Sequence, residues 1–347
     1  MGKYNEALRL DEITFNAWKR NFTEEHPRTL VALNNLATTQ RLMGDFREAR
    51  KNDEMVLAGR RAILGEDHPD TLASSAYVGI DMRDAGDYEQ SIARLRGVHR
   101  DLLRTAGAEH LMTLRAQTSL AVSLRSAGHA VEAGKLLEAA YELLNERFGP
   151  DNPETLTCRL SLSVNLLTVD LFQRASRELT EVHRVYQNNL GPGHPLTLVC
   201  LVNLAMVACR AGDFAEARQL AGRSADALAE VLGDDHPYPL SGWMNQAICI
   251  AEQPDPPEGR EAADLEALAL LRRAHDGLDR MLGRDHPNTL RCRANLTVMQ
   301  ERVEGGRRAE LEAVTRELTY RLGESHPAVE TLRENRLQRR IIDPHPI

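Results

Sequence analysis

Twelve histidines are the first residues in this chain with the chemistry to bind a metal or move a proton, and their placement decides what they do. Seven of them, His26, His68, His110, His194, His236, His286 and His326, stand in copies of one short stretch, seen best as Leu64-Gly65-Glu66-Asp67-His68-Pro69-Asp70-Thr71-Leu72. His99, His183 and His275 share another position in alternate copies, and His129 and His345 fall in a turn and in the tail. A zinc or catalytic centre needs several such side chains around one point. Histidines spaced a whole repeat apart have no reason to converge, so they read as structural. The chain carries no H-E-x-x-H, no P-loop, no G-x-G-x-x-G and no nucleophile elbow. The sequence therefore predicts no catalytic residue, no metal, no cofactor and no enzyme.

The motif's spacing points instead to architecture. With Asn152-Pro153 taking the place of His-Pro, the first six anchors lie 42 residues apart, and the last two gaps are 50 and 40. A fixed period of this length means stacked supersecondary units rather than separate domains. After each anchor the apolar residues fall on one helical face, as in Leu30, Leu33, Leu36 and Ala37. Proline suits the first helical position, and the residue before it is the N-cap, where His and Asn both offer an acceptor to free backbone amides. That first helix ends at Gly-Asp turns such as Gly44-Asp45 and Gly86-Asp87, and a second helix runs to the next Leu-Gly, whose glycine is expected as a left-handed C-cap.

Leu33-Asn34-Asn35-Leu36-Ala37, Gly44-Asp45-Phe46-Arg47-Glu48-Ala49 and Leu64-Gly65-Glu66-Asp67-His68-Pro69 together resemble the 42-residue tetratricopeptide repeat of kinesin light chains and of many bacterial repeat proteins. The resemblance implies an all-α, right-handed α-solenoid of helix-turn-helix units. The expected layout is a half repeat at 1–22, repeats anchored at 26, 68, 110, 152, 194, 236 and 286, a capping helix from 326, and a Pro-rich tail at 342–347. The chain opens at the second helix of a repeat, which reads as a piece of a longer protein or a mis-set start. Between His236 and His286, Gln253 to Arg260 is an inserted, exposed loop, and Asp170-Leu171 replaces a Gly turn.

Composition agrees. Aromatics are 4% against 42% hydrophobics, so the core must be built from Leu, Ala and Val, as packed helices prefer. A net charge of -8 gives no pull toward nucleic acid or anionic lipid, and the apolar run from Leu196 to Cys209 is too short and interrupted to span a bilayer. Five cysteines without C-x-x-C leave one unpaired; Cys158, Cys200 and Cys292 recur at one repeat position and read as packing residues in a reducing cytoplasm.

What remains is a surface. The first-helix face opposite the packing face lies 5, 9, 12 and 16 residues after each anchor. At the second of these come Asn35, Tyr77, Ser119, Ser161, Asn203, Asn245 and Asn295. Asn is a mediocre helix former, so its recurrence needs a reason. The resemblance supplies one: relatives hold an extended peptide backbone with Asn here, while bridging between neighbouring helices is the equal alternative. The third position is an apolar rail, Thr38, Ile80, Val122, Val164, Met206, Ile248 and Val298, read first as contact between helices. Arg41, Arg83 and Arg125 form a row that would suit an acidic partner, though a cation in a last helical turn is favoured whatever the function. The leading reading is a cytoplasmic, non-enzymatic scaffold that binds a peptide or protein, or a domain of its own polypeptide, through groove residues Asn35, Asn203, Asn245, Asn295, Arg41, Arg83 and Arg125. The alternative is the sensor arm of a multidomain signalling NTPase whose catalytic part lies outside this chain. The sequence leaves open the oligomeric state and whether the tail fills the groove.

Overall fold

The computed structural model describes residues 4–339 and 342. Among these every regular element is a helix, and the chain divides into two compact units, Gly2–Asn165 and Leu166–Pro344. In the first lie α1 (Tyr4–Asn21), α2 (Pro27–Leu42), α3 (Phe46–Leu64), α4 (Pro69–Asp84), α5 (Tyr88–Thr105), α6 (Leu111–Ser126), α7 (Ala130–Phe148) and most of α8 (Pro153–Thr168). In the second lie α9 (Phe172–Leu190), α10 (Pro195–Ala211), α11 (Phe214–Leu232), α12 (Pro237–Glu252), α13 (Arg260–Leu282), α14 (Pro287–Val303), α15 (Arg308–Leu322) and α16 (Pro327–Arg333). Within each unit successive helices pack as hairpins, first helix against second, with a further contact between first helices such as α4 with α6 and α10 with α12.

The anchors start the helices as their chemistry requires. Each of the seven anchor histidines accepts, through Nδ1, the backbone N–H two residues on, at 3.1 to 3.3 Å. Asn152 does the same with Oδ1, taking the Glu154 amide at 3.0 Å. These bonds satisfy amides that no helical carbonyl reaches, and they require the neutral imidazole with its proton on Nε2. Three residues before every anchor but His26 stands a glycine, and Gly65 corrects the expectation of a left-handed cap there. Gly65 has φ 86° and ψ 171°, an extended mirror-image conformation open in practice only to glycine. A left-handed cap is found at Gly212, at φ 86° and ψ 4°. Asp170 takes that role in its own turn, with φ 61°.

Packing is by small and branched aliphatic residues. Ala49, Ala133, Ala175, Ala217 and Ala263 are completely buried and let second helices approach first helices closely. In the second unit one core runs from Ala225 through Leu240, Trp243, Leu271 and Leu290 to Val329, Leu332 and Leu337. Each such leucine contributes about 1.5–3 kcal/mol on burial. All five cysteines are buried free thiols, and burial pushes Cys158 up to about 12. At the N-terminal end, Leu8 and Phe15 of α1 cover Leu33, Leu36 and Val56. The inserted loop is exposed over 254–259 apart from half-buried Pro256, and Arg260, the first residue of α13, ties it down by donating to the carbonyls of Ala251, Gln253 and Pro254. No helix among the described residues is long and apolar enough to cross a membrane.

The expected capping helix is shorter than its sequence suggested. α16 stops at Arg333, Asn335 turns the chain with φ 54°, and residues 336–339 are outside the helix. A polar Asn can adopt this left-handed turn at low cost, which ends the helix where the apolar repeat pattern also ends.

Candidate functional site

Residues 336–339 and 342 lie along the face made by α10, α12 and α14. Two asparagines hold that segment by its backbone. Asn295 on α14 donates from Nδ2 to the Gln338 carbonyl at 2.9 Å, and its Oδ1 accepts the Gln338 N–H at 2.7 Å. Asn203 on α10 treats Ile342 in the same way, at 2.9 Å to the carbonyl and 3.0 Å from the N–H. A carboxamide is the side chain that donates and accepts side by side, so it pairs with one residue's N–H and C=O as a neighbouring β-strand would. Both asparagines are completely buried, as is Asn245 on the intervening α12. Buried amides of this kind are costly unless paired, so the backbone they hold is part of the structure's polar balance.

Side chains add to the backbone contacts. Arg291 donates from Nε to Gln338 Oε1 at 3.2 Å and from a terminal nitrogen to the Arg339 carbonyl at 2.9 Å. Arg339 forms an ion pair with Glu252 at the end of α12, a pair about three-quarters buried. Leu337 enters the core beside Leu332, and Ile342 is buried. Next to the segment is a cavity of 330 Å³, whose walls include Phe172, Met206, Arg210, Glu252 and Arg291.

The asparagines and arginines singled out by the sequence are thus placed differently from one another. Asn203 and Asn295 meet the same segment, and Asn245 lies between them. Asn35 is exposed in the first unit, where Tyr77, Ser119 and Ser161 take the equivalent positions and cannot supply a paired donor and acceptor of this shape. Arg41 points into the protein: it is bonded to Asp53 and, at 2.8 Å, to Asp81, and its guanidinium lies 5.2 Å from the Tyr77 ring. Burial disfavours its charge, but Asp81 and Asp53 outweigh that and raise its pKa. Arg83 bonds Asp84 at 3.1 Å. Arg125 donates to the Ser161 carbonyl at 3.1 Å, and burial, with Arg83 nearby, lowers its pKa to about 9. The apolar rail is buried at Ile80, Val122, Val164, Met206, Ile248 and Val298.

Glu252, Arg291, Gln338, Arg339 and Ile342 were not singled out by sequence. For two the signal was present: Arg291 and Glu252 occupy the fifth and sixteenth positions after their anchors, on the face already assigned to the groove. The three tail residues belong to no repeat and have no pattern to betray them.

Comparison with known proteins agrees with the architecture. A search of curated proteins finds no match. Among solved structures, a Rap protein complexed with competence and sporulation factor superposes with a TM-score of 0.63 at 13% identity, covering 96% of this chain and 86% of that one. A putative kinesin light chain with nearly identical repeats from Podosopora anserina is 24% identical over 55% of this chain and 89% of that one, with a TM-score of 0.42. BtubC (BKLC) from P. vanneervenii is 17% identical over 67% of this chain and 94% of that one, at 0.49. The tetratricopeptide repeat profile matches residues 1–62, 112–188 and 165–230. With more than half of its length matched and every anchored unit folded as a helical hairpin or its capping half, the chain belongs to the tetratricopeptide repeat family.

Proposed function

We propose that this protein is a non-enzymatic scaffold in which the groove over α10, α12 and α14 binds an extended stretch of a peptide or protein partner. The observation that supports the reading is the pair of two-bond contacts from Asn203 to Ile342 and from Asn295 to Gln338. They engage only main-chain atoms, so the same side chains serve any extended segment whose N–H groups are free. Asn245 is proposed as the third clamp, and Asn35 as a single equivalent amide in the first unit.

The arginine row receives a different role in this reading. Arg41 faces two buried carboxylates, and Arg125 donates to the Ser161 carbonyl of the next repeat. We assign these residues to holding neighbouring repeats together, and charge selection to Glu252 and Arg291. A domain of the same polypeptide would meet the groove by the same contacts as a separate protein.

Selection of peptides from a random library on the full chain tests the reading. Peptides that bind the parent and lose at least tenfold in affinity to the Asn203→Ala/Asn295→Ala variant support it. Equal affinity for both proteins places binding elsewhere.

A further inference from the structure

Resting on that reading, we propose that the groove selects an extended segment with a basic residue opposite Glu252 and an aliphatic residue at Asn203, and that the chain's own C-terminal segment is its built-in competitor. The segment seated in the structure defines the pattern. Gln338 is clamped by Asn295, Arg339 meets Glu252, and Ile342 is clamped by Asn203 and buried.

Register follows from the same contacts. Asn295 and Asn203 lie on α14 and α10, two first helices apart, and their partners are residues 338 and 342. The two held residues, four apart in sequence, therefore follow one another in the direction opposite to the order of the repeats. In an extended chain, residues two apart present the same edge, so every clamp in the row reads one edge of the backbone. Residues between the clamped ones turn their side chains elsewhere, as Arg339 does toward Glu252.

Two requirements on a partner come directly from the chemistry. Each clamped residue must supply an N–H, which proline lacks. The residue after the one at Asn295 must be cationic, because Glu252 at the end of α12 is a partly buried carboxylate, and leaving such a charge unpaired is costly. The contact with Arg291 adds a third preference, for an acceptor side chain at the Asn295 position, where Gln338 offers Oε1 at 3.2 Å.

The seated segment is tethered at Arg333, the last residue of α16, a few residues before the first clamp. A tether this short holds its segment at an effective concentration on the order of mM. A free peptide of the same sequence must compete against that, so the partner's apparent affinity is set by how readily the segment leaves.

The test uses a fluorescent peptide with the sequence of residues 336–347, titrated against the full chain and against the full-length Gln338→Pro/Ile342→Pro variant, which removes both N–H donors from the tethered segment. The proposal expects the peptide to bind the variant at least tenfold more tightly than the parent. It also expects Glu252→Arg, added to that variant, to lose the peptide and to regain binding to the peptide carrying Arg339→Glu. Equal affinity for parent and variant overturns the competitor role while leaving the groove as a peptide site. Binding by neither overturns both readings, provided that circular dichroism shows the variant folded. Should the variant not fold, hydrogen exchange on the parent decides: excess unlabelled peptide must speed exchange at the Ile342 amide, and an unchanged rate overturns the proposal.

Discussion

Asn203 and Ile342 are 139 residues apart in sequence and joined by two hydrogen bonds, one in each direction between a carboxamide and a single residue's backbone. Replacing Asn203 by Asp keeps the acceptor and loses the donor, leaving the Ile342 carbonyl facing a carboxylate. Asn203→Asp is therefore expected to release Ile342 more completely than the loss of one bond, at about 1–3 kcal/mol. Hydrogen exchange at the Ile342 amide measures this directly. Exchange unchanged from the parent would show that the clamp carries no stability.

The buried group around Arg41 sets a pH dependence in the first unit. One guanidinium faces two carboxylates, Asp53 and Asp81, all three nearly inaccessible to water. Burial, outweighing the pull of Arg41, pushes Asp53 up to about 8 from an ordinary 3.8. The folded protein thus holds a proton that the unfolded chain releases between those values. Stability is fully present below pH 3.8 as far as this group is concerned, and is lost as pH rises through about 8. Asp53→Asn supplies a permanent neutral partner, so its urea midpoint should fall less than the parent's between pH 6 and pH 9. Parallel declines in the two proteins would place the proton elsewhere.

How much of this was readable beforehand varies with the kind of signal. The helix starts were legible because Nδ1 of an anchor histidine and Oδ1 of Asn152 do the same local work, and local work repeats every 42 residues. The asparagine row was legible as a recurrence of an unfavourable helix residue. The partners of Arg41 were not legible, because its offset along one helix reveals the face but not Asp53 and Asp81 on neighbouring helices. The Ile342 contact had no periodic signal behind it, so the sequence raised a tail in the groove only as an open alternative: the contact occurs once, at long range, from a segment without periodicity.

Capping by histidine yields a further pH prediction. The cap requires an unprotonated Nδ1, and burial lowers the His194 pKa from its ordinary 6.5. Its contribution is therefore complete above pH 6.5 and is lost as pH falls below that value toward the depressed folded pKa. His194→Asn keeps an acceptor that does not titrate, as Asn152 already does in its own repeat. Comparing urea midpoints at pH 7.5 and pH 5 should show a smaller drop for the variant. At the half-buried anchor His68, His68→Ala is expected to cost about 1 kcal/mol at pH 7.5, and His68→Asn close to nothing.

The closest packing between neighbouring helices is measured by two glycines of contrasting surroundings. A methyl group at Gly277 on α13 would sit 2.4 Å from Leu240 Cδ2 on α12, and Leu240 is fully enclosed and has nowhere to go. At Gly97 on α5 the same methyl meets nothing within 4 Å. In a helix, alanine is favoured over glycine by about 0.8–1 kcal/mol, so Gly97→Ala should stabilise. At Gly277 overpacking, at about 1–3 kcal/mol, exceeds that gain, so Gly277→Ala should destabilise. If crowding against Leu240 is the cause, trimming Leu240 must relieve it, and the double variant Gly277→Ala/Leu240→Ala should lose less than the sum of its parts. Strict additivity in chemical denaturation would mean that Leu240 is not what requires glycine at 277.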